Sequence, residues 1–281
     1  MSTVSTHPAH HTGLNTTSRN DNWWLEPLLV LAGLSAFIVY STWAAFQGGY
    51  YWFNGGADGF GGYLSPMYSP LIFIKEGVSG SAPLLHAWVG TWPDWWPALL
   101  PASPAFLILP FPGLFRFTCY YYRKAYYRAF AGTPPACAVG PIPQNPYKGE
   151  TGLLVFQNLH RYALYFALIF ILILYYDAFQ AFFRNGQFGI GVGSIVLLLN
   201  ATFLAGYTLG CHSFRHLVGG HANCYSCSAG AKVKLSIWKK VTVLNMRHMN
   251  FAWVSLIWVG FSDCYVRMVS MGIWTDFNTW G

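Results

Sequence analysis

Charged residues are scarce in this chain. Asp, Glu, Lys and Arg make up 9% of its 281 residues, whereas an ordinary soluble domain contains about 25%. Hydrophobic residues make up 54% and aromatic residues 19%, so the composition excludes an ordinary soluble protein. The sequence also lacks an internal repeat, a Gly-rich phosphate loop and a Ser-His-Asp arrangement. These absences argue against a P-loop nucleotide-binding protein and against a serine hydrolase.

Long apolar segments are abundant instead. About 20 helical residues cross a hydrocarbon core of about 30 Å. The second of the apolar segments contains Pro110, Pro112 and Arg116, so we expect a kinked helix there. The sequence therefore predicts an all-α fold, a polytopic membrane helical bundle of about five transmembrane helices. The predicted spans are Leu28–Phe46, Ala105–Tyr122, Ala163–Tyr176 with about a turn added at each end, Phe188–Leu209 and Met249–Ile273.

The basic residues indicate how the bundle is oriented. Twelve of the 16 Lys and Arg residues lie around the second and fourth connections, and the positive-inside rule places such stretches in the cytoplasm. We expect a multi-pass membrane protein with a cytoplasmic N-terminus. The net charge of +7 is then explained by the orientation in the membrane and not by nucleic-acid binding. The basic inner face suits an acidic partner or anionic lipid. The twelve residues are Arg116, Arg123, Lys124, Arg128, Lys148, Arg161, Arg215, Lys232, Lys234, Lys239, Lys240 and Arg247.

The parts between the apolar segments differ in composition. Residues 1–22 form a polar leader rich in Ser, Thr and His, which we predict to be disordered. Residues 23–281 then form a single transmembrane domain. Its outer segment, 47–100, is rich in Gly, Pro and Trp, and its tryptophans suit the lipid interface. Its cytoplasmic connections are 120–150 and 212–247.

The densest set of metal-binding side chains lies in Cys211–Cys227, directly after the fourth apolar segment. It holds three cysteines and three histidines in seventeen residues. His212 and His216 are four residues apart and share a helix face, while Cys224 and Cys227 form a C-x-x-C turn. Two glycines between these pairs let the chain fold back. We therefore predict that His212, His216, Cys224 and Cys227 ligate one metal centre at the cytoplasmic side of the membrane.

Two imidazoles and two thiolates suit more than one centre. Zinc would take all four in a closed structural site, whereas a Rieske-type [2Fe-2S] cluster would take the thiolates on one iron and the imidazoles on the other. The spacing does not choose between these. A third possibility is a haem b clamped by His160 and His248 from two helices. Other thiols expected on the same side are Cys119, Cys137 and Cys211.

Ionisable residues near the inner leaflet also predict a quinone site. Arg215 and Arg247 accompany His160 and His248 at the same expected depth. Ionisable groups inside a membrane are costly and usually functional, and this set suits the carbonyls of a quinone and the protons that its reduction takes up.

One further pair lies in the last apolar segment. Asp263 and Arg267 are four residues apart and therefore lie on one helix face. Because an unpaired charge inside a membrane is costly, we expect these two side chains to pair with each other as a structural device.

Several motifs together resemble a known family. Asn158-Leu-His-Arg-Tyr162, Gly210-Cys-His-Ser-Phe-Arg-His-Leu-Val-Gly-Gly220, Leu244-Asn-Met-Arg-His-Met249 and Ser270-Met-Gly-Ile-Trp-Thr-Asp276 resemble the single-chain, cytochrome b-like membrane anchor of an actinobacterial type of succinate dehydrogenase, complex II. The resemblance implies partners, namely a flavoprotein subunit that oxidises succinate and an iron-sulfur subunit. It also implies electron transfer to membrane quinone through a membrane-embedded Rieske-type [2Fe-2S] cluster.

Overall fold

The structure is a computed structural model that describes residues 15–56, 62–142, 151–220 and 222–280, without the side chains of 151–154 and 156. The described chain divides into two compact units. The first unit combines the residues up to Ile38 with Arg116–Asn158, and the second combines Val39–Phe115 with the residues from Leu159 onward.

Helix is the main secondary structure in the described residues, as the composition predicts. The helices are α1 (Leu25–Gln47), α2 (Pro104–Ile108), α3 (Pro110–Phe117), α4 (Tyr120–Ala129), α5 (Thr151–Gln180), α6 (Val192–Leu209), α7 (His212–Arg215), α8 (Ala229–Met246) and α9 (His248–Ser270). A 3₁₀ turn covers Leu84–His86 and a π-helical turn covers His216–Gly220.

Six two-residue strands accompany the helices. They are β1 (Trp52–Phe53), β2 (Tyr63–Leu64), β3 (Phe73–Ile74), β4 (Gly90–Thr91), β5 (Phe183–Arg184) and β6 (Gln187–Phe188). Consecutive strands pair, antiparallel for β1 with β2 and for β5 with β6, and parallel for β3 with β4.

Three helices in the described part of the chain are both long and apolar enough to cross a membrane. They correspond to Leu25–Gln47, Gln157–Gln180 and Val192–Leu209. The helix α9 has 23 residues, as many as α1, but it carries Asp263 and Arg267 and is less apolar. The five-span topology and the cytoplasmic N-terminus therefore stay predictions.

The kinked helix predicted over Ala105–Tyr122 corresponds to two short helices, α2 and α3, which end before Tyr122. Prolines begin both α2 and α3, and a proline lacks the N–H that continues a helix. The helical stretch ends at Phe117, because Cys119 has extended backbone with ψ 132°. Pro104 to Phe117 spans about 21 Å at about 1.5 Å per residue, which is short of the roughly 30 Å of a bilayer core.

The first unit gathers the described end of the polar leader around a proline-containing loop. The backbone N–H of Asn15 donates to the carbonyl of Gly140 at 3.2 Å, and the hydroxyl of Thr17 donates to the carbonyl of Ala138 at 2.7 Å. Residues 15–17 of the predicted leader are thus hydrogen-bonded in place. Residues 1–14 of the leader and 143–150 of the first cytoplasmic connection lie outside the described residues.

The second unit is built on α6 packed along α9. Tyr63 of β2 is fully buried and packs against Ala178, Leu197 and Val266. The helix α6 approaches β2 closely at Gly193, where a Cβ atom would lie 2.2 Å from the ring of Tyr63. The outer segment is therefore packed directly on the membrane helices.

This close approach makes a prediction about stability. Gly193→Ala should lower the free energy of unfolding by about 1–3 kcal/mol, because the tyrosine ring is held by hydrogen bonds and overpacking forces it to move. Gly230→Ala is the control, since its nearest neighbouring atom lies 4.0 Å away, and it should be neutral or slightly stabilising. Thermal unfolding of the purified protein in detergent measures both, and equal melting temperatures would contradict the packing argument.

A buried polar cluster ties the outer segment to the end of the chain. The Tyr63 hydroxyl donates to Asp276 at 2.8 Å, and Asp276 also accepts from Arg184 at 3.1 Å and from the Tyr265 hydroxyl at 2.8 Å. Burial, followed by the hydrogen bond to Asp276, raises the pKa of Tyr63. Tyr63 therefore stays neutral and acts as a donor. The outer segment is thus fixed by buried polar contacts.

The predicted pairing of Asp263 with Arg267 is confirmed. The two side chains are fully buried, and Nη2 of Arg267 lies 3.3 Å from Oδ2 of Asp263. Asp263 also accepts a hydrogen bond from the hydroxyl of Tyr40 at 2.7 Å and one from Ser65. Arg267 donates to the carbonyl of Gly49 at 2.8 Å. The pair therefore connects α1, the outer segment and α9.

Candidate functional site

One histidine and one cysteine meet inside the second unit. Nε2 of His160 lies 3.3 Å from Sγ of Cys211, and both side chains are buried. His160 lies near the start of the apolar part of α5, and Cys211 directly follows the end of α6. The extended backbone of Cys211 begins α7, and its sulfur accepts the backbone N–H of Ser213 at 3.1 Å. A thiol and an imidazole therefore share one buried position at the end of two predicted spans.

Two aromatic rings extend this pair to a second histidine. The ring of Phe115 stacks on His160 with centroids 4.5 Å apart and planes 9° apart. Tyr207 packs its edge against Phe115 at 5.5 Å and stacks on His248 at 4.9 Å. All four rings are buried. They form a continuous series of ring contacts from one imidazole to the other, and the sequence predicted these two imidazoles at similar depth.

The four predicted metal ligands lie elsewhere. His212 in α7 and His216 at the start of the π-helical turn are exposed. Cys224 and Cys227 form a disulfide with each other. A sulfur in a disulfide does not act as a thiolate ligand, so these four residues would require reduction before they could bind a metal ion. Ligation by His212, His216, Cys224 and Cys227 stays a prediction.

The two predicted quinone arginines have different surroundings. Arg215 donates from Nε to the hydroxyl of Thr242 at 3.1 Å, and its guanidinium lies 4.2 Å from the ring centroid of Trp238. Arg247 is exposed between α8 and α9 and serves as a cap of both helices. Arg215 therefore holds α7 against α8, while Arg247 stands directly beside the buried His248.

No group of three or more His, Cys, Asp or Glu side chains that would hold a metal ion occurs within the described residues. The donors available in the second unit are nevertheless of the soft kind that iron-sulfur clusters use. They are the imidazoles of His160 and His248 and the thiol of Cys211, which is one of four free cysteines. Two imidazoles and one thiol are among the donors that a Rieske-type cluster uses, but the structure does not bring these three side chains into one group.

The match of the sequence to a known protein family shows to which family the chain belongs. The model of the family described as actinobacterial succinate dehydrogenase subunit SdhC matches residues 25–272. The chain belongs to this family. The family assignment confirms the resemblance to a membrane-anchor subunit of succinate dehydrogenase, and it makes the chain part of an enzyme complex.

A solved structure is similar over nearly the whole chain. It is a chain of the Mycobacterium smegmatis Sdh1 complex in the apo form, which shares 40% sequence identity with this chain. The match covers 94% of each chain with a TM-score of 0.80. No curated protein sequence matches the chain. The fold of this SdhC family member is therefore that of a subunit from a succinate dehydrogenase complex.

Some residues of the site escaped the sequence analysis. Phe115 and Tyr207 were read only as part of apolar segments, although they lie between the two buried imidazoles. A signal was present for Tyr207, which stands in the last turn of the predicted span that ends just before Cys211. No comparable signal marked Phe115, because its contact with His160 depends on how separate helices pack.

Proposed function

We propose that this SdhC family member passes electrons from the iron-sulfur subunit of succinate dehydrogenase to membrane quinone. The single observation that carries the proposal is the 3.3 Å contact of His160 Nε2 with Cys211 Sγ. Ionisable side chains such as imidazole are rare in membrane helices unless they have a function. Here a buried imidazole adjoins a buried thiol in a family whose members are succinate dehydrogenase subunits.

We further propose that His160, His248 and Cys211 are ligands of a Rieske-type [2Fe-2S] cluster. A bound cluster would supply one-electron transfer at a potential raised by its imidazole ligands. His160 would supply one imidazole and Cys211 one thiolate. His248 is the candidate for the second imidazole, and the rings of Phe115 and Tyr207 lie between it and His160 in the cluster-free structure. The second thiolate comes from one of the other free cysteines, and the sequence argument on depth makes Cys119 the first to test.

The aromatic rings define what the chain itself does at this position. Phe115 and Tyr207 cover one face of each imidazole and keep water from it. A ring held by a parallel stack keeps its orientation, so the ligand nitrogens are positioned before a cluster binds. The Sγ atom of Cys211 is held as well, because it accepts a hydrogen bond from the backbone N–H of Ser213.

Quinone is the proposed electron acceptor, and Arg247 is the better of the two arginine candidates. Arg215 is engaged with Thr242 and Trp238, whereas Arg247 is exposed next to His248. A guanidinium at the membrane boundary donates to a quinone carbonyl and stabilises the negative charge that grows on it during reduction. Succinate oxidation remains the task of the flavoprotein subunit.

The experiment that tests the proposal is metal analysis with electron paramagnetic resonance on the intact complex. We expect two irons more than the soluble subunits carry, and a Rieske-type signal after reduction with succinate or dithionite. A haem bound by His160 and His248 would instead give a sharp reduced alpha band. Zinc bound in the Cys224–Cys227 region would leave the membrane subunit colourless. Either of these results would overturn the cluster proposal.

A further inference from the structure

The helix α8 carries an unusual exposed surface. Lys232, Lys234, Lys239 and Lys240 are exposed, and so are the apolar side chains of Val233, Ile237, Val243 and Met246. These eight residues are called the lysine face below. No Asp or Glu occurs between Asp177 and Asp263, and within the described residues none of the four lysines forms an ion pair. The lysine face is therefore a cationic surface interrupted by exposed apolar groups.

Charged side chains are followed by exposed apolar side chains along one line of this helix. Lys232, Lys239, Val243 and Met246 are spaced by seven, four and three residues, so they follow one helical stripe. Val243 is 54% exposed and Met246 is 73% exposed. A helix exposed only to water would gain nothing by exposing such side chains in its last turns, directly after the lysines. The pattern is typical of a helix that lies at a membrane interface.

Contacts at the end of α8 fix the position of this helix relative to the membrane. Nδ2 of Asn245 donates to the carbonyl of Gly210 at 2.8 Å, and Gly210 is the residue that ends α6. A single residue, Arg247, caps both the end of α8 and the start of α9. The last turns of α8 are therefore held where one predicted span ends and the next long helix begins, which is the membrane boundary.

We propose that the lysine face binds anionic phospholipid. The lysine ammonium groups contact lipid phosphates, and the exposed apolar side chains, above all those of the last turns, enter the outermost part of the acyl layer. Lysine suits this arrangement, because its long apolar stem lies along the membrane surface while its charge reaches the head groups. Lysine is depleted in protein–protein interfaces, so the chemistry of the face fits lipid better than a protein partner.

The experiment compares variants of the lysine face in the assembled succinate dehydrogenase complex. The first variant replaces all four lysines with Gln, and the second replaces all four with Arg, which keeps the charge. A third variant, Lys75→Gln, removes an exposed lysine of the outer segment. The measurement is binding of fluorescent phosphatidylglycerol and of phosphatidylcholine to the complex in detergent, at low and at high salt.

We expect the complex to prefer phosphatidylglycerol, and high salt to weaken that preference. Each lysine near an anionic surface contributes roughly fivefold in affinity. The Gln variant should therefore bind phosphatidylglycerol at least about tenfold more weakly and lose the preference. The Arg variant and Lys75→Gln should bind like the parent, and millimolar inorganic phosphate should displace none of the lipid.

Three results would overturn the proposal. The first is an unchanged preference for phosphatidylglycerol in the Gln variant. The second is loss of the soluble subunits from the Gln variant with lipid binding intact, which would make the lysine face a protein-docking surface. The third is displacement by inorganic phosphate, which would indicate a site for a free anion. Size-exclusion chromatography of each variant shows whether the subunits remain together.

Discussion

In a complex that carries His160→Ala, electron flow from succinate to quinone falls by about 100-fold or more, while succinate oxidation with a soluble dye continues. Even residues that only support a metal ligand cost about 10–100-fold when replaced, and His160 is proposed as a ligand itself. Its ring lies 3.3 Å from Cys211 and stacks on Phe115. The Rieske-type paramagnetic signal should disappear, and the soluble subunits should stay bound.

The matched control for this result is the double variant His212→Ala, His216→Ala. Both side chains are exposed, and alanine is the best helix former, so this variant should keep the signal and the quinone activity. The opposite outcome, with the signal lost in the double variant and kept in His160→Ala, would return the cluster to the Cys211–Cys227 segment. His160→Phe separates a lost ligand from a lost ring, because phenylalanine keeps an aromatic ring that can stack on Phe115 but has no ligand nitrogen.

The second large effect is on stability, at the buried pair of α9. Asp263→Asn should lower the free energy of unfolding by about 3–5 kcal/mol, because it leaves the guanidinium of Arg267 buried without a counter-charge. Both side chains of the parent pair are 0% exposed. The measurement is the thermal unfolding of the purified complex, followed by loss of soluble protein or by fluorescence.

A double variant tests the reason for this loss. Replacing Asp263 with Leu and Arg267 with Met removes both charges together, and exchanging a buried pair for apolar residues of similar volume is often nearly neutral. The double variant should therefore unfold at a higher temperature than Asp263→Asn. If the two variants unfold at the same temperature, the loss of stability comes from the hydrogen bonds that Tyr40 and Ser65 donate to Asp263 and not from the charge.

The long helices could be predicted from apolar composition, because a segment of about 20 apolar residues has few alternatives to a membrane helix. The ends of these helices could not be predicted from apolar composition. The run Phe188–Leu209 contains the start of α6 at Val192, since Phe188 belongs to a strand paired with Phe183. Likewise α5 begins at Thr151, well before the apolar run, because polar residues also continue a helix outside the bilayer.

The candidate site shows what sequence density can and cannot predict. A metal site could be predicted in the Cys211–Cys227 segment because its candidate ligands lie close together along the chain. The contact between His160 and Cys211 joins residues 51 positions apart, and it exists only because α5 and α6 bring their ends together. Asp263 and Arg267 were predictable as an i, i+4 pair, whereas Arg184 and Asp276 lie 92 positions apart and carry no such signal.

The buried pair of α9 also has a consequence for how the chain is made. Tyr40 donates its hydrogen bond to a residue 223 positions later in the sequence. Synthesis at roughly 5–20 residues per second puts on the order of 10–45 s between the two. During that interval α1 has no access to the acceptor that its tyrosine uses in the finished protein. The first membrane helix therefore acquires its final polar contact only when the last helix has left the ribosome.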